Sequence, residues 1–325
     1  MKKVRHRSGL HILCHFFLLV LGTALPASRL LRNSRENELG NVVTFALIGK
    51  RGRLGNQLFQ VASTIGVAES EKRVWAFPES ISETSVGVLF GLRGNALLRG
   101  AQTIEVKEQD ETDFKITLPV RQHGVAVSLN GYFQNWQTFQ DSFDTIRKYL
   151  TLDDRLLNKV LEKVPEVSME NSVTLHVRRG DYVNTNNLYL LLDTQYYMNA
   201  LASIPNVDVV IVVSDDSYWC RENLLLSTSA RIVFSPFDDE LSDFVLLYLG
   251  KHLITANSSY SWWAAFLKGL YSNWTHPGTI IAPERWYTSG GKLAKLNRRS
   301  FFPSSWILIK DGLDSTPQNP QAHPF

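Results

Sequence analysis

Cysteine is almost absent from this chain of 325 residues, which contains only Cys14 and Cys220. Because Cys14 lies inside an apolar N-terminal run, the rest of the chain has a single thiol and no internal disulfide. A small fold held together by disulfides is therefore excluded, and a buried core must stabilise the chain, 44% of which is hydrophobic. We expect Cys220 to be buried rather than reactive.

Metal-binding patterns are also missing from the sequence. There is no Asp-x-Asp triplet, which is the usual carboxylate platform for a metal-bound sugar nucleotide, and no His or Cys cluster has zinc spacing. The Gly-x-Ser-x-Gly elbow of many serine hydrolases is absent too. We therefore predict no metal site, and favour a site built from arginine and backbone amides.

The net charge of +3 comes from one end of the chain. Four of the 34 basic residues lie within the first seven positions, and residues 1–25 contain no Asp or Glu. The remainder has 30 basic residues against 31 acidic ones, so it is about neutral. A neutral body argues against a broad phosphate-binding surface, and we expect no nucleic-acid partner.

One long apolar run follows the basic N-terminus, over residues 10–25. It is shorter than the roughly 20 residues that span a bilayer comfortably, and its length lies between a secretory signal and a short membrane anchor. The basic flank predicts a cytosolic tail over 1–9, a signal-anchor over 10–25 and a lumenal body. We expect a single-pass type II protein of the Golgi membrane. A cleaved signal and a buried soluble helix are the alternatives.

The body of the chain is expected to form two domains. Residues 26–41 are polar and predict a short stem. The first domain should cover 42–165 and provide the acceptor side, and the second should cover 166–310, with a linker at 165–171. The proline-containing tail over 311–325 is expected to be disordered.

Strand-like and helix-like segments alternate in the second half of the chain. Apolar runs lie at 173–177, 207–213, 231–234, 252–255 and 279–282, and the predicted helices between them lie at 194–203, 217–226, 240–249 and 261–271. This pattern predicts an α/β fold with a doubly wound parallel sheet, which binds ligands at the carboxyl ends of its strands. The first half shows only a strand at 42–48 and helices at about 57–71 and 152–164, and residues 78–140 show no clear period.

The first candidate motif reads Gly-Arg-Leu-Gly-Asn-Gln at 52–57, between a predicted strand and a predicted helix. Two glycines three positions apart let a ligand approach the backbone and the amides at the start of the helix. The motif is neither a Walker loop nor a dinucleotide fingerprint. A turn followed by a helix cap is the structural alternative.

The second candidate motif runs from His176 to Tyr182, where a predicted strand ends. Because side chains alternate along a strand, His176 and Arg178 should share one face. Arg178 and Arg179 form a compact cationic site that suits phosphate oxygens, and Asp181 could orient a guanidinium or act as a base. The structural alternative is a surface ion pair between an arginine and Asp181. A second alternative is an adhesion motif, because residues 179–181 spell the Arg-Gly-Asp triplet that adhesion proteins use.

Two further motifs follow predicted strands. The stretch 255–265 places Asn and Ser side chains where a helix begins, which again suits a phosphate, and its two tryptophans form either a stacking wall or part of the core. Within the run 214–216, Asp215 could accept hydrogen bonds from a ribose or a guanine edge, and capping of the next helix explains this run equally well.

Five motifs in this order resemble the α-1,2-fucosyltransferases, the galactoside 2-α-L-fucosyltransferase family. They are GRLGNQLFQVAS at 52–63, GYFQNW at 131–136, HVRRGDYV at 176–183, VVSDDSYWC at 212–220 and ITANSSYSWWAAFL at 254–267. The resemblance implies two Rossmann-like domains of the GT-B type. It also implies inverting, metal-independent transfer of L-fucose from GDP-fucose to the 2-hydroxyl of a terminal galactose in a glycan, with no cofactor besides the donor substrate.

The resemblance also implies roles for single residues. Arg178 would contact the pyrophosphate with Arg179 aiding its placement, His176 would lie near the nucleoside, Asn56 would face the fucose, and Ser258, Ser259 and Ser261 would contact the phosphates. Asp181 is the candidate base because it lies beside the donor site. A protein O-fucosyltransferase, and a non-catalytic lectin or adhesion module, are the competing hypotheses.

Overall fold

The computed structural model describes residues 39–109, 115–185, 187–273, 278–291, 293–296 and 299–310. The predicted tail 1–9, the predicted anchor 10–25, most of the predicted stem and the tail 311–325 lie outside these residues. Within the described ranges, no helix combines the length and the apolar character that crossing a membrane requires.

The described residues form ten strands and eight α-helices. The strands are β1 (Val42–Thr44), β2 (Val74–Trp75), β3 (Gln102–Lys107), β4 (Val125–Asn130), β5 (Ser172–Val177), β6 (Val209–Ser214), β7 (Arg231–Phe234), β8 (His252–Ile254), β9 (Ile280–Pro283) and β10 (Ile307–Ile309). The helices are α1 (Leu54–Ser70), α2 (Ser85–Phe90), α3 (Phe143–Tyr149), α4 (Asp154–Lys163), α5 (Thr194–Ala202), α6 (Ser217–Asn223), α7 (Glu240–Leu249) and α8 (Ser259–Tyr271).

The second half of the chain forms a six-stranded parallel sheet in the order β10-β9-β8-β5-β6-β7. Counted from its own first strand, the order is 6-5-4-1-2-3, which is the strand order of dinucleotide-binding folds. The direction of winding reverses between β5 and β8, so a crevice opens beyond the carboxyl ends of these two strands. The prediction of an α/β fold with parallel strands is confirmed.

Alternate residues of the sheet pack into two separate apolar clusters. Val173 and Val177 of β5 belong to a cluster with residues of α5 and α6. Ile211 and Val213 of β6 belong to a cluster with residues of α7 and α8. The sheet is therefore covered on both faces, as the near-continuous apolar runs of its strands require. Cys220 of α6 lies in the first cluster, which confirms the expectation that it is buried.

The first half of the chain forms a smaller parallel sheet in the order β2-β1-β4-β3. Two of its strands, β3 and β4, lie in the region 78–140, where the sequence shows no clear period. In β4 five of the six residues are buried, so no apolar–polar alternation marks it. In β3 only Ile104 and Val106 are partly buried, because the strand lies at the edge of the sheet.

The boundary region between the halves is more compact than the predicted linker at 165–171. It contains a 3-10 helix over Pro165–Ser168, and Val167 is buried in the same apolar cluster as residues of α1 and α8. One core therefore continues across both sheets. The predicted division into domains at residue 165 stays a prediction.

The two halves meet where the first turns of α1 and α8 touch. A Cβ atom added to Gly55 would lie 2.5 Å from the backbone carbon of Ser259 and 2.5 Å from the nitrogen of Tyr260. Below this contact, the Phe59 ring lies 4.7 Å from the Trp262 ring between centroids and 5.2 Å from the Trp263 ring. Both tryptophans are fully buried, so they belong to the core and form no stacking wall.

We predict that Gly55→Ala destabilises the protein even though alanine favours a helix. The added methyl group has no space against the backbone of α8, and overpacking costs about 1 to 3 kcal/mol. Thermal unfolding should show a lower melting temperature. Gly290→Ala is the matched control, because a Cβ atom at Gly290 would meet nothing within 4 Å. Equal melting temperatures for the two variants would contradict the close contact of α1 with α8.

Candidate functional site

A cavity of about 640 Å³ opens where the carboxyl ends of the two sheets face each other. The first half contributes Asn56 and Tyr132, and the second half contributes His176, Arg178 and Ser259. All five motifs recognised in the sequence contribute to the cavity, the one at 212–220 through Asp215. The fold thus brings together segments that are as much as two hundred positions apart.

His176 is held in a neutral form at the end of β5. Its ring is 4% exposed, and its Nδ1 lies 2.8 Å from the hydroxyl oxygen of Ser261. Burial, together with the positive charge of Arg178, lowers the pKa of His176 to about 3. The residue can therefore contribute a hydrogen bond to a ligand, but no positive charge at neutral pH.

Arg178 reaches the cavity from the same face of β5 as His176, as strand alternation predicts. Its guanidinium donates to the carboxylates of both Asp181 and Asp215, and its side chain is only 13% exposed. The guanidinium carbon also lies 5.0 Å from the centre of the Tyr182 ring. Two carboxylates and one aromatic ring therefore fix the position of this cation.

Arg179 does not line the cavity, and its expected part in placing the pyrophosphate stays a prediction. Its guanidinium lies 3.7 Å from the ring centre of Trp219 and its Nε donates to Asp216 at 3.2 Å. With a side chain only 14% exposed, it also cannot serve as part of an exposed adhesion triplet. Its backbone N–H donates to Asp215 at 2.9 Å, so it supports Arg178 indirectly.

The two aspartates after β6 have separate roles. Asp216 caps α6 by accepting from the backbone N–H of Trp219 at 3.1 Å. Asp215 lines the cavity, but one of its oxygens is bonded to Arg178 and the other to the backbone of Arg179. Its carboxylate is thus engaged in holding the arginine, and the expected contact with a ribose or a guanine edge stays a prediction.

Asn56 links the first turns of α1 and α8. Its side-chain oxygen accepts from Nε2 of Gln134 at 2.6 Å and from the hydroxyl of Ser259 at 3.2 Å. Ser258 caps α8, accepting from the backbone N–H of Tyr260 at 3.4 Å. No side chain caps α1, because its N-cap residue is Arg53. Two helix N-termini therefore point their partial positive charges towards one cavity.

Two residues of the motif at 254–267 are structural and do not line the cavity. Ser261 is buried and its hydroxyl contacts His176, and the expected contact with a phosphate stays a prediction. Asn257 is buried too, and its amide donates to the carbonyls of Leu190 at 2.7 Å and Trp286 at 2.9 Å. A glycan on Asn257, which begins an Asn-x-Ser sequence, therefore cannot be accommodated in this fold.

The cavity is richer in carboxylates than the sequence suggested. Arg53 and Arg178 line it together with six acidic residues, namely Asp181, Asp215, Asp238, Asp239, Glu240 and Asp243. The expected arginine and Asp181 are therefore joined by further carboxylates that the motif did not indicate. Binding of an anion depends on the local positions of the donors rather than on the net charge of the cavity.

Asp243, in the first turn of α7, is a site residue that the sequence analysis missed. Its carboxylate accepts from the hydroxyl of Ser235 and also lines an adjoining cavity of about 280 Å³. Its pKa is raised to about 6, mainly by burial; the Ser235 bond opposes this rise, and nearby Asp239 and Asp238 add to it. An acidic residue inside the apolar run of 241–249 was the available signal.

Two parallel sheets that face each other across a polar cavity are typical of α/β enzymes that bind their ligands at strand ends. Comparison with known proteins is more specific. Residues 34–310 match Glycosyl transferase family 11, and the chain belongs to this family.

The relatives support the resemblance seen in the motifs. An alpha-1,2-colitosyltransferase from Escherichia coli is 31% identical over 194 residues, which cover 57% of this chain and 63% of that protein, less than two thirds of its length. A galactoside 2-alpha-L-fucosyltransferase from Caenorhabditis elegans is 27% identical over 282 residues, covering 78% of this chain and 76% of that protein. The crystal structure of POFUT1 in complex with GDP-fucose has a TM-score of 0.49 at 11% identity, over 76% of this chain and 99% of that chain. The resemblance to the α-1,2-fucosyltransferases is confirmed, whereas the structural likeness is too distant to assign any residue.

We predict that Asp243→Asn is more stable than the unmodified protein at pH 8. A carboxyl group whose folded-state pKa is raised destabilises the fold when it is ionised, by about 1.4 kcal/mol for each pKa unit. This penalty is fully present above pH 6 and disappears as the pH falls towards 4, so the stability difference should shrink over that range. Chemical unfolding at several pH values measures it.

Asp153→Asn is the matched control for this prediction. Hydrogen bonds from the backbone and the side chain of Arg155 lower the pKa of Asp153, the N-cap residue of α4, and Asp153 is not among the groups that affect Asp243. Removing that charge should weaken the fold at pH 8 rather than strengthen it. A gain in stability for both variants, or for neither, would contradict the environment described for Asp243.

Proposed function

We propose that this chain is a galactoside 2-α-L-fucosyltransferase, which transfers L-fucose from GDP-fucose to the 2-hydroxyl of a terminal galactose in a glycan. The observation that carries the proposal is the position of Arg178, fixed where the winding of the second sheet reverses and facing two helix N-termini. Two relatives support the proposal, because one is named an alpha-1,2-colitosyltransferase and the other a galactoside 2-alpha-L-fucosyltransferase. We also propose that the two sheets are the two domains of a GT-B-type fold, divided near residue 165.

The donor pyrophosphate fits between Arg178 and the first turns of α1 and α8. Backbone N–H groups at the start of a helix bind phosphate oxygens, and an arginine fork can bind two of them at once. Ser258 and Ser259 line the cavity at this point, and neutral His176 provides a hydrogen-bonding ring beside it. In this arrangement Asn56 lies on the first-half side of the phosphates, where the fucose would extend.

Arg178 would stabilise the leaving group. As the bond between fucose and phosphate breaks, negative charge grows on GDP while the sugar gains oxocarbenium character. A cation at the leaving group then interacts more strongly with the transition state than with the ground state. This cation can supply the stabilisation that a divalent metal provides in other transferases, so we propose metal-independent transfer with inversion.

Asp181 would act as the base after the donor has bound. Its carboxylate is bonded to Arg178, but its side chain is 55% exposed towards the cavity. When the pyrophosphate takes its place on the guanidinium, the Asp181 carboxylate is released and can accept a hydrogen bond from another group. It could then accept the proton of the acceptor 2-hydroxyl, while Asp215 continues to hold Arg178.

We predict that Arg178→Ala lowers kcat for fucose transfer by about 10² to 10³, because the loss of one such donor typically has this effect. The assay follows labelled fucose from GDP-fucose to a simple β-galactoside, with a chelator present and with a protein acceptor in a parallel reaction. NMR of the product gives the linkage and the anomeric configuration. Arg231→Ala is the control, since Arg231 pairs with Glu166 at the opposite end of the sheet.

Three results would contradict parts of this proposal. Near-normal transfer by Arg178→Ala would remove Arg178 from the mechanism. Activity that disappears in chelator and returns with manganese would show that a metal is required. Labelling of the protein acceptor in place of the galactoside would identify a protein O-fucosyltransferase.

We predict that Asp181→Asn lowers kcat by about 10² without weakening the binding of GDP, because a general base contributes at least this factor. Calorimetric titration with GDP and steady-state transfer rates test the two parts separately. If GDP binds more weakly in proportion to the loss of rate, Asp181 only positions Arg178 and is not the base.

We further propose that residues 10–25 anchor the protein in the Golgi membrane, with residues 1–9 in the cytosol and the catalytic body in the lumen. The support is the basic flank of the apolar run and the lack of acidic residues before it. Sequencing the N-terminus of the mature protein distinguishes a retained anchor, which keeps Met1, from a cleaved signal.

A further inference from the structure

Tyr132 is an exposed aromatic residue of the cavity to which the proposed donor site gives no role. It follows β4 in the motif at 131–136, lines the cavity and is 42% exposed. Phe133, the next residue, is by contrast 3% exposed and packs edge-on against Phe45 with ring centres 6.3 Å apart. The chain therefore directs one aromatic ring into the core and leaves its neighbour at the cavity.

The backbone around Tyr132 is held rigidly. The carboxylate of Glu108 accepts from the backbone N–H of Tyr132 at 2.7 Å and from that of Phe133 at 2.9 Å. A Cβ atom on Gly131 would lie 2.4 Å from Cβ of Glu108, so glycine is required for this approach. Phe133 adopts a left-handed φ of 50°, which disfavours a non-glycine residue. Such strain is maintained most often at binding sites.

The position of Tyr132 along the chain separates it from the proposed nucleotide contacts. Two residues further on, Gln134 donates to Asn56, which lies on the first-half side of the cavity. Arg178, His176 and the first turn of α8, which are proposed to bind the donor, come from the second half, and the first half adds only the first turn of α1 to them. The Tyr132 ring therefore belongs to the wall where the fucosyl group meets its acceptor.

We propose that the Tyr132 ring is the platform on which the acceptor galactose stacks, an inference that rests on the proposed function. The axial 4-hydroxyl of galactose leaves one face of the sugar with a patch of C–H groups, and such a patch packs favourably on an aromatic ring. Stacking fixes the tilt of the sugar and directs its 2-hydroxyl. Glucose, with an equatorial 4-hydroxyl, presents a less apolar face and should bind less well.

The test compares Tyr132→Ala with Tyr132→Phe in full steady-state kinetics. Tyr132→Ala should raise KM for a β-galactoside about tenfold, which corresponds to about 1.4 kcal/mol, and should leave KM for GDP-fucose unchanged. Tyr132→Phe retains the ring and should stay within about twofold of the unmodified enzyme. Hydrolysis of GDP-fucose without acceptor should be the same for all three proteins, which shows that the donor site is intact.

Tyr218→Ala is the matched control, because Tyr218 is 78% exposed and does not line the cavity. If Tyr132→Ala keeps a normal KM for the galactoside while the unmodified enzyme transfers fucose, the stacking proposal is wrong and the proposed function stands. If KM for GDP-fucose rises instead, the ring contacts the donor and the proposal is also wrong. If the unmodified enzyme does not transfer to galactosides at all, both proposals fail.

Discussion

The contact between the first turns of α1 and α8 determines how the rest of the site is arranged. Because Gly55 lacks a side chain, the α1 backbone reaches the backbone of Ser259 and Tyr260 directly. This approach aligns two helix N-termini on one cavity, and Asn56 joins them through its bond with Ser259. The buried aromatic rings beneath, including Phe59 and Trp262, make the arrangement rigid. A shift of either helix would separate the residues that belong to different halves of the chain.

A second constraint is the ion network at the end of β5. A mostly buried arginine is stable only when its charge is paired, and Arg178 has both Asp181 and Asp215 as partners. Arg179, its neighbour in sequence, is directed away and stacks on Trp219. Adjacent residues of identical type therefore have different functions, one at the cavity and one in the support of the loop.

Sequence patterns predicted five of the six strands of the second sheet because their apolar runs alternate with helices, and they missed the short strand β10. They failed for β4, because a strand buried on both faces shows no alternation, and for β3, because its alternation rests on only two apolar residues, Ile104 and Val106. The motifs contain Asn56 and Arg178, which line the cavity, and also Ser261 and Arg179, which do not, because motif membership does not show the direction of a side chain. Asp243 was missed because its environment depends on Ser235 and on the packing of α7, which sequence proximity does not reveal.

The pairing of Arg178 with Asp181 has a consequence for which small anions can enter the site. An unpaired guanidinium would attract chloride, carboxylates and free phosphate alike. If a ligand binds Arg178 as proposed, it must first displace the Asp181 carboxylate, and a singly charged ion would gain little by doing so. A diphosphate, with more charge and two further helix ends to bind, would overcome this competition. On the proposed function, Asp181 would thus select among anions by their charge before any sugar or base is recognised.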